Sequence, residues 1–454
     1  MEHFLEDIVV VDAATFLAGP GAATMLGDFG AKVIKIEPPS GDGYRALVGR
    51  YPVPYHWLLT SRNKQSLALD LSKDAGQALM HQLIAKADVM TTNFMRSQLE
   101  RYQLTYSTLQ AINPRLIFAH ITGYGDAGPE ADRRAFDVTG WWARSGMMEF
   151  VRDPDQTPLM PAPGMGDHST ATALFGAIMS GLYKRERTGE GCHVSTSLAA
   201  NGVWANGLAL QGGVAGNDLA EHRQNTGWVN PLSTAYGCGD GSYLVLTMIN
   251  TQREYPQLCE ALGHPEWLQD ERFADIRQAM RNRDVLQQMI SDAFAQLTFA
   301  QAAQRLDAQG ITYAKVQTMS EVLADEQLRA AGIVVATGDS QGDFDLTIAS
   351  PINMVGEAKK HPQRAPDIGA DSLTVLRDLD FAETYIQELL STGVVVDGRA
   401  AHDAVVSRLP APAGGLRRPA ATDGDRRRPT ATDGDQRRPT ATNGDQRRPT
   451  ATNG

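Results

Sequence analysis

The stretch VVDAATFLAGPGAATMLGDFGAKVIKIE, residues 10–37, decides the fold class of this chain. Its β-branched ends predict two strands, over residues 8–14 and 32–37. Between them, Pro20 suits the first turn of a helix and Gly30 suits the residue that ends one. A strand, a helix and a second strand in this order predict a βαβ unit, whose two strands lie parallel in one sheet.

The same alternation of strand and helix patterns continues beyond this unit. It predicts strands over 66–71, 89–94 and 116–122, a helix over 73–87 and a buried helix over 168–185. Strands that alternate with helices favour a parallel sheet covered on both faces. We therefore predict an α/β protein whose large domain is doubly wound and Rossmann-like.

Later changes of pattern predict the domain boundaries. Beyond about residue 201 the chain becomes loop-rich, with a strand pair around Asp240 and Gly241 and helices within 251–306, which indicates a smaller α+β domain. A helical pattern around 372–390 predicts a return to the large domain. The predicted segments are 1–205 for the first part of the large domain, 206–335 for the small domain and 336–398 for the return.

The last segment, residues 399–454, is different in kind. Ten-residue units such as RRPTATDGDQ begin at Arg417, Arg427 and Arg437, and a truncated copy, RRPTATNG, begins at Arg447. These units are rich in proline, glycine and charge and nearly free of bulky apolar residues, so they cannot bury enough surface to offset the entropy of ordering. We predict a disordered, low-complexity tail.

Composition narrows the classes of function. With 454 residues and a formal net charge of -11, the chain is long enough for two domains and too acidic to favour nucleic acid. No long apolar run and no secretory signal are visible, so we expect a soluble, cytoplasmic protein without a membrane partner. Its three cysteines lack a CxxC spacing, and we expect neither a disulfide framework nor a metal site nor a tightly bound cofactor.

The glycine-rich loop after the first strand has two interpretations. Gly19 and Gly21 could admit a dinucleotide's pyrophosphate while Glu37 holds its ribose, although Thr24 stands where the third glycine of that fingerprint belongs. Alternatively, the glycines only shape the turn from strand to helix.

Asp167, in the sequence GMGDHSTA, also has two interpretations. An aspartate at a helix start is commonly an N-cap. It can also be a carboxylate nucleophile, with Gly164 and Gly166 allowing close backbone approach and nearby amides stabilising an oxyanion.

Seven segments, taken together and in order, resemble the family III CoA-transferases, a group that also contains α-methylacyl-CoA racemases. The resemblance covers about residues 7–396. The segments that carry it are residues 10–42, SRNKQSLALDL (61–71), ADVMTTNFMRSQLERYQL (87–104), INPRLIFAHITGYGDAGP (112–129), RRAFD (133–137), GMGDHSTA (164–171) and LYKRERTGEGCHVSTSL (182–198).

This resemblance implies a ring-shaped monomer in an interlocked homodimer, with CoA thioesters and free carboxylic acids as partners. It implies that Asp167 is acylated and then carries CoA as a thioester. The large domain would bind CoA. The residues that match CoA-binding or substrate-binding positions of the family are Leu17, Ala18, Ser61, Arg62, Asn63, Lys64, Asn93, Phe94, Arg101, Arg134 and Phe136.

Departures from the family's patterns bear on the substrate. Pro38 and Leu17 replace a basic residue and a glutamine of the formyl-CoA branch. Phe136 replaces the histidine of the racemases, which need two bases at the α-carbon. An acyl-CoA racemase or isomerase and a catalytically silent CoA-ester-binding protein remain as alternatives.

The region around RRAFDVTGWW looks closer to the transferases of 2-hydroxy acids and of C4 to C5 dicarboxylates of the mesaconate, itaconate or succinate type. We predict transfer between such acids, or within one molecule. The predicted acyl-pocket residues are Arg45, Trp141, Trp142, Arg144 and His168, with the arginines placed to pair with a second carboxylate.

Overall fold

The computed structural model describes residues 3–48, 53–226, 230–273, 275–339 and 341–398. The predicted tail, 399–454, lies outside the described residues. The strands are β1 (Val9–Asp12), β2 (Lys32–Glu37), β3 (Lys64–Leu69), β4 (Val89–Thr92), β5 (Ile117–Thr122), β6 (Cys192–Ser197), β7 (Ala235–Gly237), β8 (Tyr243–Leu246), β9 (Tyr313–Lys315), β10 (Val334–Ala336), β11 (Leu346–Ile348) and β12 (Val395–Val396).

Helices connect these strands. The α-helices are α1 (Ala18–Asp28), α2 (Tyr55–Ser61), α3 (Asp74–Ala85), α4 (Arg96–Arg101), α5 (Tyr106–Ile112), α6 (Met147–Phe150), α7 (Met165–Thr188), α8 (Leu198–Ala205), α9 (Gly207–Val214), α10 (Leu219–Thr226), α11 (Thr251–Leu262), α12 (Ile276–Arg281), α13 (Arg283–Ala295), α14 (Phe299–Ala308), α15 (Met319–Ala324), α16 (Glu326–Ala330), α17 (Ser372–Asp378) and α18 (Glu383–Ser391). Short 3₁₀ turns occupy Gly43–Val48 and Pro265–Gln269, and a π-helix occupies Val138–Ala143.

The main sheet has the strand order β12-β3-β2-β1-β4-β5-β6, in which β1 to β6 are parallel and β12 is antiparallel to β3. The order 3-2-1-4-5-6 is that of a doubly wound fold. The predicted βαβ unit is confirmed: Val9 pairs with Lys32, Pro20 lies in the first turn of α1, and Gly30 ends the unit's helix with φ +105°.

Both faces of this sheet are buried, as continuous apolar strands require. Because adjacent residues of a strand point to opposite faces, neighbours separate into two cores. One core contains Val11, Ile34, Leu67, Met90 and Phe118 together with residues of α3, α17 and α18. The other contains Val10, Val33, Val89, Ile117 and Ala119 together with residues of α1 and α7.

Two glycines explain why α1 lies so close to its neighbours. A Cβ on Gly19 would overlap the side chain of Ala14, and a Cβ on Gly21 would lie 3.0 Å from Cβ of Ala171 on α7. These glycines therefore permit helix and strand packing, which brings the N-terminal ends of α1 and α7 together.

A separate core lies between residues 232 and 311, where β7, β8 and β9 form an antiparallel sheet beside α11, α13 and α14. The strand pair predicted around Asp240 and Gly241 is confirmed as β7 and β8. All described residues belong to one compact unit, and the three-segment domain division stays a prediction. No helix in the described part of the chain is long and apolar enough to cross a bilayer.

The helix expected around 372–390 consists of two helices, α17 and α18. Asp380 lies between them with φ +61°, a left-handed conformation that interrupts a right-handed helix. Both helices contribute to the first core, and β12 then pairs with β3.

Candidate active site

The strand order reverses between β1 and β4, because β2 follows β1 in the chain but lies on its other side. In doubly wound sheets the crevice beyond the carboxyl ends of such strands is the usual ligand site. Here Asn93, after β4, accepts a hydrogen bond from the amide of Thr15 and donates one to its carbonyl, both 2.9 Å long. The side chain of Asn93, a predicted CoA contact, thus holds the loop after β1.

A fully buried ion pair supports this loop from below. Lys35 Nζ lies 3.0 Å from Asp42 Oδ2 and also donates to the carbonyl of Ala14. The other oxygen of Asp42 accepts from the amides of Tyr44, at 2.9 Å, and Phe16, at 3.4 Å. One carboxylate therefore positions two aromatic residues on separate segments.

Glu37 does not fit the ribose-binding alternative. It is 1% exposed, and its oxygens accept from Arg45 at 2.9 and 2.7 Å, from Ser66 at 2.6 Å and from the Asp42 amide at 3.0 Å. Because these bonds are internal, Glu37 cannot serve a dinucleotide, and the dinucleotide interpretation is wrong.

The segment 61–64 is buried and bonded within the protein. Arg62 donates to both oxygens of Asp28 at 3.0 and 2.6 Å, and Lys64 donates to Asp12 at 2.8 Å. Asn63 also contacts Asp28, at 3.2 Å, while Ser61 is fully buried. The two cations anchor α1, so a contact of this segment with CoA would fall mainly to its backbone.

Asp167 is the third residue of α7, which begins at Met165 after Gly164, whose φ is +89°. The N-cap interpretation of Asp167 is therefore wrong, because Gly164 occupies that position. The carboxyl group is largely shielded from water. Burial, together with the nearby charge of Asp137, raises the pKa of Asp167 to about 7.

Asp137 caps α7 from outside the helix. Its Oδ2 accepts from the amide of Gly164 at 2.7 Å, and the amides of Gly166 and Asp167 also lower its pKa against the stronger, opposing effect of burial. The amide of Gly164 thus bonds a carboxylate of the protein itself, and the stabilisation of an oxyanion by other amides near Gly166 stays a prediction. Sequence reasoning quoted Asp137 only as part of RRAFD and missed this role.

Gly166 is the point of closest packing. A Cβ there would overlap Oδ1 of Asp137 and the ring of Trp141, so the expected close backbone approach is confirmed. Trp141 is 8% exposed and lies 4.9 Å from Trp142, ring centre to ring centre. Trp141 therefore packs beneath the start of α7.

An aromatic cluster faces the start of α7. The ring of Phe16 lies 5.7 Å from that of Phe136 and 6.1 Å from that of Tyr44. Leu17 approaches so closely that a Cβ on Gly164 would lie 3.0 Å from its Cδ1. Burial and the charge of Asp167 raise the pKa of Tyr44, which places that phenol near the carboxylate. The structure thus brings Leu17 to the start of α7, whereas Phe136 contacts Phe16 and is itself 63% exposed.

Other predicted residues are engaged elsewhere or exposed. Arg45 pairs with Glu37, with its guanidinium 3.8 Å from the Trp57 ring centre, and Arg144 pairs with Glu130 at 2.5 Å. The Arg45 guanidinium is therefore held by a buried carboxylate, whereas the pair of Arg144 is exposed and its acyl-pocket role stays a prediction. The remaining predicted residues are Ala18 and Phe94, which are partly buried, and Arg101, Arg134 and His168, which are exposed.

His168 lines a cavity of about 680 Å³ on the other side of α7, between α1, α2 and the β10–β11 pair. Arg62 and Thr60 also line it. This cavity lies directly beside the start of α7.

The comparisons with known proteins identify a family and a similar fold. The model of CoA-transferase family III matches residues 5–372. The chain is 30% identical to the (R)-2-hydroxy-4-methylpentanoate CoA-transferase of Clostridioides difficile, over 86% of this chain and 99% of that protein. It is 32% identical to the succinyl-CoA--D-citramalate CoA-transferase of Chloroflexus aurantiacus, over 74% and 84%. A crystal structure of a CAIB/BAIF family protein from Brucella suis matches with a TM-score of 0.71 and 28% identity, over 84% and 100%.

Proposed function

The chain belongs to CoA-transferase family III, and we propose that it moves coenzyme A between small carboxylic acids with Asp167 as the nucleophile. The observation that carries this proposal is the position of Asp167: a shielded carboxylate with a raised pKa, at a helix start beside the sheet's switch point.

In the proposed reaction, a carboxylate oxygen of Asp167 attacks the thioester carbon of the donor. The C–S bond breaks, giving a mixed anhydride and CoA thiolate. The thiolate then attacks the Asp167 carbonyl carbon and releases the donor acid as a carboxylate. The acceptor carboxylate repeats the two steps in reverse, so the thioester bond energy is retained in covalent intermediates.

The surroundings of Asp167 suit these steps. Burial that raises the pKa of the carboxyl also makes the ionised oxygen more basic and less hydrated than an exposed aspartate. The ring of Tyr44 lies near the Asp167 carboxylate and contacts that of Phe16, and these two rings would limit access of water to the anhydride.

The apolar rings also favour one substrate class. We propose a 2-hydroxy acid with an apolar side chain, in keeping with the relative that acts on (R)-2-hydroxy-4-methylpentanoate. A C4 to C5 dicarboxylate is the second candidate, because another relative is named for succinyl-CoA and D-citramalate. The glutamate pairs of Arg45 and Arg144 weigh against the second candidate.

We also propose that the active enzyme is an interlocked homodimer. Helices α8 and α9 expose bulky apolar side chains, with Trp204 and Leu208 each 86% exposed and Val214 80% exposed. Single exposed apolar side chains are normal, but several on two consecutive helices are typical of a subunit interface. A Trp204→Glu, Leu208→Glu double variant should be monomeric by light scattering; a wild-type monomer would contradict this part.

The central test is intact-protein mass spectrometry after incubation with a panel of acyl-CoA esters, followed by hydroxylamine trapping. Wild type should form an adduct that maps to Asp167, and Asp167→Ala should form none while still binding CoA esters. The donor panel should include 2-hydroxyacyl and dicarboxylyl esters, so that the adduct identifies the substrate class. If no ester labels wild type, but the esters bind, the protein is a CoA-ester-binding protein or a non-covalent isomerase instead.

A further inference from the structure

A second group of chemically active side chains lies on the edge of the main sheet. His120 is on β5 and His193 is on β6, and the register pairs Phe118 with His193 and His120 with Ser195. Paired residues of adjacent strands share a face, so the two histidines lie diagonally on one face. Their ring centres are 6.1 Å apart.

Asp126 completes the group from the loop after β5. Gly125, with φ +108°, allows that loop to fold back over the strand end. One ligand atom each from His120, Asp126 and His193 lie within 4.8 Å of one another. Ligands around a tetrahedral zinc ion lie about 3.4 Å apart, from bond lengths near 2.1 Å, so small side-chain rotations would close the group on an ion.

The hydrogen bonds of His120 already have the pattern of a metal ligand. Its Nε2 donates to the carbonyl of Phe94 at 3.0 Å, and its Nδ1 lies 3.1 Å from Oδ1 of Asp126. Histidine ligands of metals almost always bond a carbonyl or carboxylate through the second nitrogen, which fixes the ring. An ion bound by Nδ1 and Asp126 would take the place of their direct contact.

The group is accessible to solvent, and the ring of His193 packs against an aromatic neighbour. His120 is 8% exposed, whereas His193 and Asp126 are exposed to solvent. The His193 ring packs edge-on against Phe118, with centres 5.0 Å apart. Arg96 approaches the main-chain carbonyl of Asp126 at 3.2 Å. An ion can therefore enter from solvent and keep water as its remaining ligand.

We propose that His120, Asp126 and His193 bind a divalent transition-metal ion of the zinc class. Two imidazoles and one carboxylate suit Zn²⁺, Co²⁺ or Ni²⁺, whereas Mg²⁺ and Ca²⁺ prefer sets of oxygens. The ion links β5, β6 and the loop that carries Asp126. The expectation that there is no metal site rested on cysteine spacing, and this group contains no cysteine.

The proposed metal site is separate from Asp167 but is connected to the loop before α1. Phe94, whose carbonyl orients His120, follows Asn93, which clamps Thr15 in the loop before α1. A bound ion would therefore stiffen the β4 end of the crevice.

The test uses the full-length chain without an affinity tag, stripped with a chelator and titrated with Co²⁺ and then Zn²⁺. The variants are His193→Ala and Asp126→Asn, with His264→Ala as the matched control, because His264 forms an exposed pair with Glu266 at 2.8 Å outside the group. Wild type and His264→Ala should bind one ion, show Co²⁺ visible absorption and gain Tm with Zn²⁺.

His193→Ala and Asp126→Asn should lose at least about tenfold in Zn²⁺ affinity, together with the Tm gain. Equal Zn²⁺ affinity in all four proteins, or no Zn²⁺-dependent change of Tm in wild type, would overturn the proposal. Circular dichroism of the metal-free variants shows whether either substitution merely unfolds the chain.

Discussion

Two aspartates of the same large sheet assembly have opposite electrostatic surroundings. Asp12, at the end of β1, is fully buried, yet Lys64 and Lys35 outweigh the effect of burial and hold its pKa below the ordinary value. Asp167, at the start of α7, is less buried, but burial and Asp137 raise its pKa to about 7. The more deeply buried carboxylate is thus the one that stays firmly ionised.

The fold assigns structural support and reaction to different carboxylates. The buried charges Asp12, Lys35, Asp42 and Lys64, here called the charge cluster, tie β1, β2 and β3 to the loops before α1 and after β2. Paired charges of this kind hold geometry, because each carboxylate lies against a lysine ammonium. Asp167 has no cation among the groups that shift its pKa, which leaves its oxygens for a substrate.

The substitution Asp167→Asn should give the largest effect, because it should abolish the reaction without weakening the fold. Removing the nucleophilic oxygen should lower the transfer rate by on the order of 10⁴-fold or more. The free energy of unfolding at pH 8 should stay the same or rise, because a shielded carboxylate without a cation partner is lost. Initial rates measure the loss of activity, and denaturant melts measure the free energy of unfolding. A large loss of stability would mean that Asp167 supports the fold.

The counterpart in the charge cluster is Lys64→Met. It leaves Asp12 buried without its closest cation and should cost about 3–5 kcal/mol in unfolding free energy. The matched control is Lys32→Met, which removes a partly exposed pair with Asp378 at 3.0 Å and should change stability by less than about 1 kcal/mol. Equal losses of unfolding free energy in urea melts would contradict the prediction that the charge cluster stabilises the fold more than a surface pair does.

Packing at the start of α7 offers a smaller test. Gly166→Ala forces a Cβ into Asp137 and Trp141 and should cost about 1–3 kcal/mol and lower activity. Gly176→Ala, in the same helix, meets nothing within 4 Å and should stabilise by up to about 1 kcal/mol. Opposite signs in thermal melts are expected; a gain of stability at both positions would mean that helix propensity outweighs the overlap at Gly166.

The two regions also differ in how far sequence reasoning could describe them. Strands β1 and β2, helix α1 and the long helix α7 follow from local periodicity and from Pro20 and Gly30. The partners of Glu37 and Arg62 do not, since Arg45 and Asp28 are brought there only by the tertiary fold. Likewise, no local pattern places Asp137 against an amide 27 residues later in the chain.

The pH dependence of the transfer rate should report the ionisation of Asp167. Because Asp167 must be ionised to attack, kcat/KM should rise with pH and level off above about 7. The same raised pKa has the opposite effect on folding: its stabilising contribution is complete below the unfolded value near 3.9 and is lost as pH rises through 7.

Asp137→Asn keeps an oxygen to accept from Gly164 but removes the charge that helps to raise the pKa of Asp167. The midpoint of the pH profile should therefore move downward, while burial, the larger cause, still holds it above that of a free aspartate. Asp155→Asn, an exposed position with φ +58° that asparagine tolerates, is the control and should not shift the midpoint. An unshifted profile in Asp137→Asn would mean that burial alone raises the pKa of Asp167, and Asp137 would then act only as the cap of α7.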